Sequence, residues 1–200
     1  MIRNVIFDVG GVLADVNFLK LLAKYRPNPI EIKKVAEDLS VSKEWDGWNR
    51  GLYTTAEIGE ILVEKYPKFE KMVRKGLLDD WGRYLEVDKT MASCVRSLKK
   101  AGYKVYLLAD LPKEFCTVFE KNDVFKNIDG SVFSHELHSR KPEQKMYDEL
   151  VNRYGLKPEE CLYVDDNGSY LKPAERMGMK TLKASKPQET VKALMDILNG

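Results

Sequence analysis

The strongest constraint on the fold is a regular alternation of short apolar runs with amphipathic helical segments in the second half of the chain. From Asp88 onward the sequence predicts helix and strand in turn, and a further strand-like run at residues 5–9 opens the chain. Strands that alternate with helices are typical of a doubly wound α/β fold with a parallel sheet. In such sheets ligands bind beyond the carboxyl ends of the strands, where the strand order reverses. Functional residues are therefore expected at the strand ends.

The alternating pattern predicts five strands. They lie at residues 5–9, 103–108, 130–134, 161–164 and 180–182, with helices at about 112–121, 142–154, 170–177 and 187–199. One more helix is predicted to begin at Asp88, a typical N-cap residue, and to end at Gly102.

A long segment before Asp88 interrupts the alternation. Residues 15–85 are mainly helical in pattern, with helix starts at Asn28 and at Thr54. We therefore expect an α/β core made of residues 1–14 and 86–200, into which an α-helical cap of residues 15–85 is inserted.

Carboxylates concentrate at the predicted strand ends. Asp8 follows the first strand, Asp110 follows Ala109 at the end of the next, and Asp165–Asp166 follow a third. Each one alone could be a turn residue or a helix cap. Three such positions at one sheet edge favour a shared site.

Three segments resemble, in order, motifs of the haloacid dehalogenase-like hydrolases. Residues 7–13 (Phe-Asp-Val-Gly-Gly-Val-Leu) resemble the first motif. Residues 139–143 with Met146–Tyr147 resemble the third, and residues 163–167 with 174–178 resemble the fourth. The ordered set spans almost the whole chain. The resemblance implies a Rossmann-like core with a small α-helical cap, and by pattern it is strongest to sugar-phosphate-type phosphatases and to the phosphatase-like domain beside some epoxide hydrolases.

The resemblance implies a nucleophile and a metal site. Asp8 would attack a phosphoryl group and form an aspartyl-phosphate. Asp8 and Asp165, with the backbone carbonyl of Gly10, would be ligands of Mg²⁺, which prefers hard oxygen donors. Asp166 would orient a metal-bound water.

The same resemblance implies a phosphate-binding set. Lys141 would be catalytic, neutralising the carboxylates and holding a phosphate oxygen, although a plain surface lysine is the alternative. The amides around Gly10 and Gly11 could cradle the phosphate, or the pair could simply form a tight turn. Ala109 and Asp110 stand where the second motif contacts phosphate.

Three positions depart from the family pattern. Gly10 stands where most phosphatases of the family have a second Asp, the general acid and base, whose help is commonly worth roughly 10²–10⁴-fold in rate. Ala109 stands where a Ser or Thr hydroxyl would bind phosphate, and such a donor can be worth roughly 3–4 kcal/mol. Tyr170 stands where the fourth motif has Asn.

Other residues could compensate for these departures or add to their effect. Asp15 or a residue of the cap could replace the missing general acid. Asp110 places negative charge near a phosphate, but it could instead pair with Lys141 or Arg140.

Three functions remain open at this stage. The first is an Mg²⁺-dependent phosphatase acting on a small phosphorylated metabolite. The second is a catalytically impaired binding or regulatory protein, which Gly10 and Ala109 favour. The third is a 2-haloacid dehalogenase, which lacks the second Asp but works without Mg²⁺, so that Asp165–Asp166 would have little purpose.

Composition narrows the partners and the compartment. The 200 residues carry a net charge of only +2, which gives no indication of nucleic-acid binding or of an acidic membrane partner. No signal peptide or membrane span is recognisable. The three cysteines have no metal-like spacing, which favours a reducing cytoplasm. We expect a monomer or a homodimer.

Aromatic and basic residues of the cap have two interpretations. Trp45 and Trp48, three residues apart, are expected to pack in the cap, with sugar stacking as the alternative. Arg50 is expected at the surface, with a substrate contact as the alternative. His135 and His138 are expected to be loop residues without a metal role.

Overall fold

A computed structural model of the chain describes residues 1–16, 28, 30, 33, 37, 38, 41–80, 85–119 and 121–200. The helix start predicted at Asn28 falls only partly within these residues. There the backbone N–H of Ile30 donates to Oδ1 of Asn28 at 3.0 Å.

Within the described residues, seven strands form two sheets. They are β1 (Asn4–Phe7), β2 (Ala14–Val16), β3 (Leu85–Val87), β4 (Lys104–Ala109), β5 (Gly130–Phe133), β6 (Cys161–Asp165) and β7 (Lys180–Lys183). Five of them pair in parallel in the order β5-β4-β1-β6-β7, and β2 pairs with β3 in a separate antiparallel sheet. The predicted parallel α/β sheet is confirmed, and each predicted strand limit lies within two residues of the observed one.

The helices connect these strands. They are α1 (Lys43–Asn49), α2 (Thr55–Lys65), α3 (Lys89–Lys100), α4 (Lys113–Phe119), α5 (Ser134–Leu137), α6 (Gln144–Tyr154), α7 (Gly168–Arg176) and α8 (Pro187–Asn199). After α2 come a 3₁₀ turn at Pro67–Phe69, an α-helical turn at Glu70–Met72 and a π-helical segment at Val73–Asp80. Two further 3₁₀ turns lie at Phe125–Asn127 and Pro158–Glu160.

Apolar layers cover both faces of the parallel sheet. On one face Phe7 of β1 packs in a cluster with Val95 of α3 and Leu194 of α8. On the other, Ile6 packs in a cluster with Leu150 of α6 and further residues of α7. All four residues of β1 are buried, as expected for a central strand of a parallel sheet covered on both faces.

Helix starts follow their predicted caps. The carboxylate of Asp88 accepts from the backbone N–H of Met91 at 2.8 Å, and Gly102 adopts a φ of +90° just beyond α3. Thr54 and Glu57 form the predicted capping box at the start of α2.

The prediction of a mainly helical stretch from residue 15 is wrong at its two ends. β2 and β3 pair there, and Asp15 lies opposite Glu86. Strands of three residues are too short to show a clear period-two pattern, so they could not be predicted from the pattern of apolar residues. The segment between residues 15 and 85 is called the inserted segment below.

Two tryptophans pack the inserted segment against the core. Trp48 is fully buried, and its ring lies 5.1 Å from that of Trp45 and 5.3 Å from that of Phe115 on α4, both edge-on. Its indole N–H donates to the hydroxyl of Thr55 at 3.2 Å. The packing interpretation of the tryptophans is therefore confirmed.

Candidate active site

The sheet order brings the predicted strand ends together. Because β1 lies between β4 and β6, the residues that follow these three strands share one edge. Asp8 continues the ladder beyond β1 by donating its backbone N–H to the carbonyl of Val164 at 2.9 Å. The site therefore lies where the strand order reverses, with β4 on one side of β1 and β6 on the other.

Asp8 is a buried carboxylate with a cation beside it. Its Oδ1 accepts from the backbone N–H of Val9 at 2.7 Å and lies 2.8 Å from Nζ of Lys141. Burial raises the pKa of Asp8 to about 7. Lys141 acts in the opposite direction, and the charge of Asp165 adds to the rise.

Asp165 is held on both of its carboxylate oxygens. Oδ2 lies 2.8 Å from Nζ of Lys141 and accepts from the hydroxyl of Tyr163, while Oδ1 accepts from the backbone N–H of Asn167 at 2.8 Å. The residue is completely buried. A buried carboxylate with three donors is fixed in orientation before any ligand arrives.

Three carboxylates converge with a spacing that suits a metal ion. Asp8, Asp165 and Asp166 each place one oxygen within 4.8 Å of the others. Carboxylate oxygens are the donors that Mg²⁺ prefers, so the residues present fit that ion. Gly10 follows Asp8 by two residues in the same loop, and its carbonyl stays a predicted fourth ligand.

Lys141 is not a surface lysine. Its side chain is 1% exposed and lies between Asp8 and Asp165. Burial opposes its charge, yet the two carboxylates prevail and raise the pKa of Lys141 above its ordinary value. The surface alternative is therefore wrong.

Gly11 leaves no space for a side chain, whereas Gly10 does. It has a φ of +71°, and a Cβ there would lie 2.4 Å from Oδ2 of Asp166. A Cβ on Gly10 would meet nothing within 4 Å. The N–H of Gly11, predicted to cradle phosphate, already donates to Oδ1 of Asp15 at 3.0 Å, so it would have to change partner to bind a phosphate oxygen.

Asp110 turns toward the loop that carries Lys141. Its Oδ1 accepts from the backbone N–H of Lys141 at 3.1 Å, and its Oδ2 pairs with Nε of Arg140 at 3.3 Å. Burial raises the pKa of Asp110, and the charges of Lys141 and Arg140 counter this rise. The predicted pairing with Arg140 is confirmed. Ala109, completely buried at the end of β4, has no polar side-chain atom to offer.

A chain of ion pairs, not predicted from sequence, joins the inserted segment to the core. Nη1 of Arg140 lies 3.0 Å from Asp46, whose other oxygen lies 2.7 Å from Nε of Arg50. Nη2 of Arg50 in turn lies 2.5 Å from Glu143. The i, i+4 spacing of Asp46 and Arg50 could have indicated the pair between these two residues. The links to Arg140 and Glu143 depend on positions far apart in the sequence.

Tyrosines surround the Lys141–Asp165 pair. Tyr170 was noted in the sequence only as a departure from the family pattern, and the contacts of these tyrosines were not predicted. Tyr163 shares a sheet face with Asp165, two residues on, and this spacing was the available signal. The ring of Tyr170 lies 4.9 Å from Nζ of Lys141. Tyr147 donates its hydroxyl to the carbonyl of Tyr170 at 2.6 Å.

The two histidines face backbone carbonyls. Nδ1 of His135 lies 2.9 Å from the carbonyl of Leu111, and Nδ1 of His138 lies 2.8 Å from that of Arg50. His135 belongs to α5, so its prediction as a loop residue is wrong. A four-residue helix is too short to show a helical period.

The family follows from the match of the whole chain. The family model of the haloacid dehalogenase-like hydrolases matches residues 2–178. The chain belongs to this family. It is therefore a hydrolase by family, with the Rossmann-like core and the carboxylate-lined strand ends described above.

Several named phosphatases are similar in sequence. The chain is 24% identical to a D-ribitol-5-phosphate phosphatase of Bacteroides thetaiotaomicron, with all of both chains covered. It is 26% identical to the pyrophosphatase PpaX of Bacillus cereus, covering 92% of this chain and 83% of the relative. An enolase-phosphatase E1 of Aquifex aeolicus is 22% identical over 92% of the chain.

Solved structures share the fold. A family enzyme of Bacteroides thetaiotaomicron, solved with magnesium and inorganic phosphate, superposes with a TM-score of 0.75 at 22% identity, covering 92% of this chain and 95% of that one. A family hydrolase of Porphyromonas gingivalis gives 0.77 at 22% identity, covering 100% and 99%. An L-2-haloacid dehalogenase of Xanthobacter autotrophicus gives 0.67 at 20% identity, covering 100% and 84%. Among the helices described for this chain, none combines the length and apolarity needed to cross a membrane.

Proposed function

We propose that the protein is an Mg²⁺-dependent phosphatase that hydrolyses a small phosphorylated metabolite through an aspartyl-phosphate on Asp8. The observation that carries this proposal is the position of Asp8, buried at a strand end beside Lys141 and within reach of Asp165 and Asp166. The relatives named as phosphatases, and the similar structure that contains magnesium and phosphate, support it.

In the proposed first step a carboxylate oxygen of Asp8 forms a bond to phosphorus while the bond from phosphorus to the ester oxygen breaks. The departing oxygen takes up a proton. Water then gives up a proton to the group that had protonated the departing oxygen and attacks phosphorus, while the bond between phosphorus and the Asp8 oxygen breaks. Inorganic phosphate leaves and the Asp8 carboxylate is restored. Asp8, Asp165 and the Gly10 carbonyl would hold Mg²⁺, and Asp166 would orient a water bound to it. The ion would neutralise the charge that gathers on the phosphoryl oxygens.

Lys141 would bind a phosphoryl oxygen in this scheme, since its ammonium already lies between Asp8 and Asp165. Ala109 and Asp110 would border the phosphate. The amide of Gly10 would donate to it, and so would the amide of Gly11 once it releases Asp15. We propose Asp15 as the proton donor and acceptor. It is an exposed carboxylate that reaches the Gly11 amide, and its charge helps raise the pKa of Asp166, after burial and Asp165.

We assign substrate specificity to the inserted segment. We propose that residues 15–85 form the cap over a core of residues 1–14 and 86–200. The partner is then a small phosphate ester, and the chain acts as a monomer or homodimer. We keep the cytoplasm as the proposed compartment, because Cys94 and Cys161 are buried thiols, which a reducing compartment preserves.

The deciding experiment measures phosphate release from a panel of phosphate esters with Mg²⁺ for the wild-type protein and Asp8→Asn. We expect turnover of at least one small ester, and a loss of about 10³-fold or more in kcat for Asp8→Asn, because the nucleophile is removed. Asp148→Asn, which changes an exposed carboxylate on α6 bonded to Gln144, is the matched control. A wild type inactive on the whole panel, or an active Asp8→Asn, contradicts the proposal.

Two further measurements on the same purified protein address the alternative functions. Halide release from a 2-chloroacid without Mg²⁺ would favour the dehalogenase. Binding of Mg²⁺ and phosphate with no turnover of any ester would favour an impaired, binding or regulatory protein. Among the described residues, the convergence of three carboxylates favours the metal-dependent reaction over the dehalogenase.

A further inference from the structure

The ammonium of Lys141 has an aromatic neighbour as well as two anionic ones. Nζ lies 2.8 Å from Oδ1 of Asp8, 2.8 Å from Oδ2 of Asp165 and 4.9 Å from the ring centroid of Tyr170. An ammonium has three N–H donors, and the two carboxylates account for two of them. The ring lies within the range of a cation–π interaction, which is strongest where the cation is desolvated, as it is here.

The backbone of Tyr170 is hydrogen-bonded to Tyr147, which packs in turn against Tyr163. Tyr147 donates its hydroxyl to the carbonyl of Tyr170 at 2.6 Å and packs edge-on against Tyr163, with ring centroids 6.0 Å apart. Tyr163 donates its hydroxyl to Asp165. Tyr147 and Tyr163 are completely buried. We call Tyr147, Tyr163 and Tyr170 the tyrosine cluster.

The carboxylates that hold Lys141 are also proposed metal ligands. An Mg²⁺ ion bound by Asp8 and Asp165 would draw on the same carboxylates that hold the ammonium in the metal-free protein. The aromatic ring is a poor ligand for a hard cation, so its contact with Lys141 does not compete with the metal. A phosphate-binding lysine therefore keeps one neighbour that the metal does not share.

We propose that Tyr170 is a positioning residue, whose aromatic face holds the ammonium of Lys141 ready to contact a phosphate oxygen while Mg²⁺ shares Asp8 and Asp165. The proposal rests on the proposed function, since it assigns the site to Mg²⁺ and phosphate. It also gives a role to the aromatic residue at the position where the family pattern has Asn. The ring, and not the hydroxyl, carries this role.

The first test measures the affinity for inorganic phosphate at saturating Mg²⁺ by isothermal titration calorimetry. We expect Tyr170→Phe, which keeps the ring, to stay within about twofold of wild type, and Tyr170→Leu to bind phosphate about fivefold to twentyfold more weakly. The Kd for Mg²⁺ alone should change less than that for phosphate. If Tyr170→Leu binds phosphate as tightly as wild type, or if Tyr170→Phe loses as much as Tyr170→Leu, the proposal is wrong.

Two further variants separate positioning from folding. Tyr147→Phe removes the hydroxyl that holds Tyr170 and should weaken phosphate binding in the same direction by a smaller factor, even if Tyr170→Leu is unstable. Tyr66→Leu is the matched control, because Lys65 lies 5.6 Å from the Tyr66 ring in the inserted segment, away from the site. It should leave phosphate affinity unchanged. A loss of phosphate affinity in Tyr66→Leu equal to that in Tyr170→Leu would count against the proposal.

A second readout does not depend on phosphate or on turnover. An aromatic ring beside Lys141 should shift the NMR signals of its ε-methylene protons upfield, with Lys141→Arg used to assign them. The shift should persist with Mg²⁺ in wild type and Tyr170→Phe and disappear in Tyr170→Leu. A protein that hydrolyses no ester but shows this pattern contradicts the proposed function and supports the role of Tyr170. Absence of the shift in Mg²⁺-loaded wild type overturns that role.

Discussion

At the scale of single residues, two adjacent glycines have different requirements. Gly11 has a positive φ and lies against Asp166, whereas Gly10 faces open space. Only the first therefore needs to be glycine for steric reasons. The lack of a side chain at Gly10 is a chemical departure that the fold does not impose.

The glycine contrast predicts opposite results for two alanine substitutions. Gly11→Ala should lower the free energy of unfolding by about 1–2 kcal/mol, because a non-glycine residue at positive φ is strained. It should also weaken Mg²⁺ binding about tenfold, because the new Cβ displaces Asp166. Thermal unfolding and calorimetric Mg²⁺ titration measure both effects. Gly10→Ala is the control and should change neither; Gly11→Ala with wild-type Mg²⁺ affinity would refute the prediction.

The open space at Gly10 predicts that the general acid can be restored. Gly10→Asp with Ala109→Ser should raise kcat on the preferred ester by about tenfold or more, because a proton donor and a hydroxyl donor are added. The comparison with Gly10→Asn/Ala109→Ser separates the proton donor from mere bulk. A reverted protein slower than wild type would show that another residue, such as Asp15, already supplies the proton.

At the scale of elements, α1 contacts the core through charged side chains as well as through the buried Trp48. Asp46 on α1 and Arg50 just beyond it reach Arg140 and Glu143, and the carbonyl of Asn49 accepts from the hydroxyl of Ser134 at 2.5 Å. These contacts lie next to the loop that carries Lys141. The position of α1 is thus coupled to that of the proposed phosphate-binding residue.

The ion pair between Arg50 and Glu143 makes the contact of α1 with the core dependent on pH. The hydrogen bond from Arg50 lowers the pKa of Glu143 to about 2, against the smaller opposing effect of burial, from an ordinary value of 4.5. A lowered pKa means that the stabilisation is fully present above about pH 4.5 and is lost as the pH falls toward 2. Because the Glu143 side chain is 46% exposed, solvent screening limits this stabilisation to about 1 kcal/mol or less.

The measurement compares urea unfolding of wild type and Glu143→Gln between pH 7 and pH 3. The variant should be less stable at pH 7, and the difference should narrow below about pH 4.5. Glu149→Gln, on the helix α6 that begins directly after Glu143, removes a carboxylate paired with Arg153 and sets the background for losing a partly exposed carboxylate. A difference that widens toward low pH would contradict the sign.

At the scale of the whole molecule, the fold was more predictable than the site. The alternation of strands and helices predicted the parallel sheet, and the carboxyl ends of parallel strands necessarily share an edge, so Asp8 and Asp165 were expected together. Their neighbours were not. Nothing local marks Tyr170 as a neighbour of Lys141 or Asp46 as a partner of Arg140, because these contacts depend on how distant segments pack.

Metal binding should stabilise the entire fold. Asp8, Asp165 and Asp166 face one another with Lys141 as the neighbouring cation, so added Mg²⁺ should relieve repulsion and favour the native state by mass action. At a hundredfold excess over Kd the gain is about 2.7 kcal/mol, or roughly 5–10 °C in Tm for a chain of this size. Differential scanning fluorimetry should show this shift in wild type and Asp148→Asn but not in Asp165→Asn. An equal shift in Asp165→Asn would place the ion elsewhere.

The pairing of β2 with β3 has a consequence for how such chains diversify. Ala14 lies opposite Val87, so the chain leaves the core and returns to it through adjacent strands. Closing a loop whose ends are already side by side costs only about 0.6 kcal/mol more for each doubling of its length. The segment between these strands can therefore be lengthened, shortened or exchanged for a foreign one while the parallel sheet keeps its connections. Under the proposed function, a segment grafted between residues 16 and 85 would change the contacts available to a substrate while the carboxylates at the strand ends stay in place.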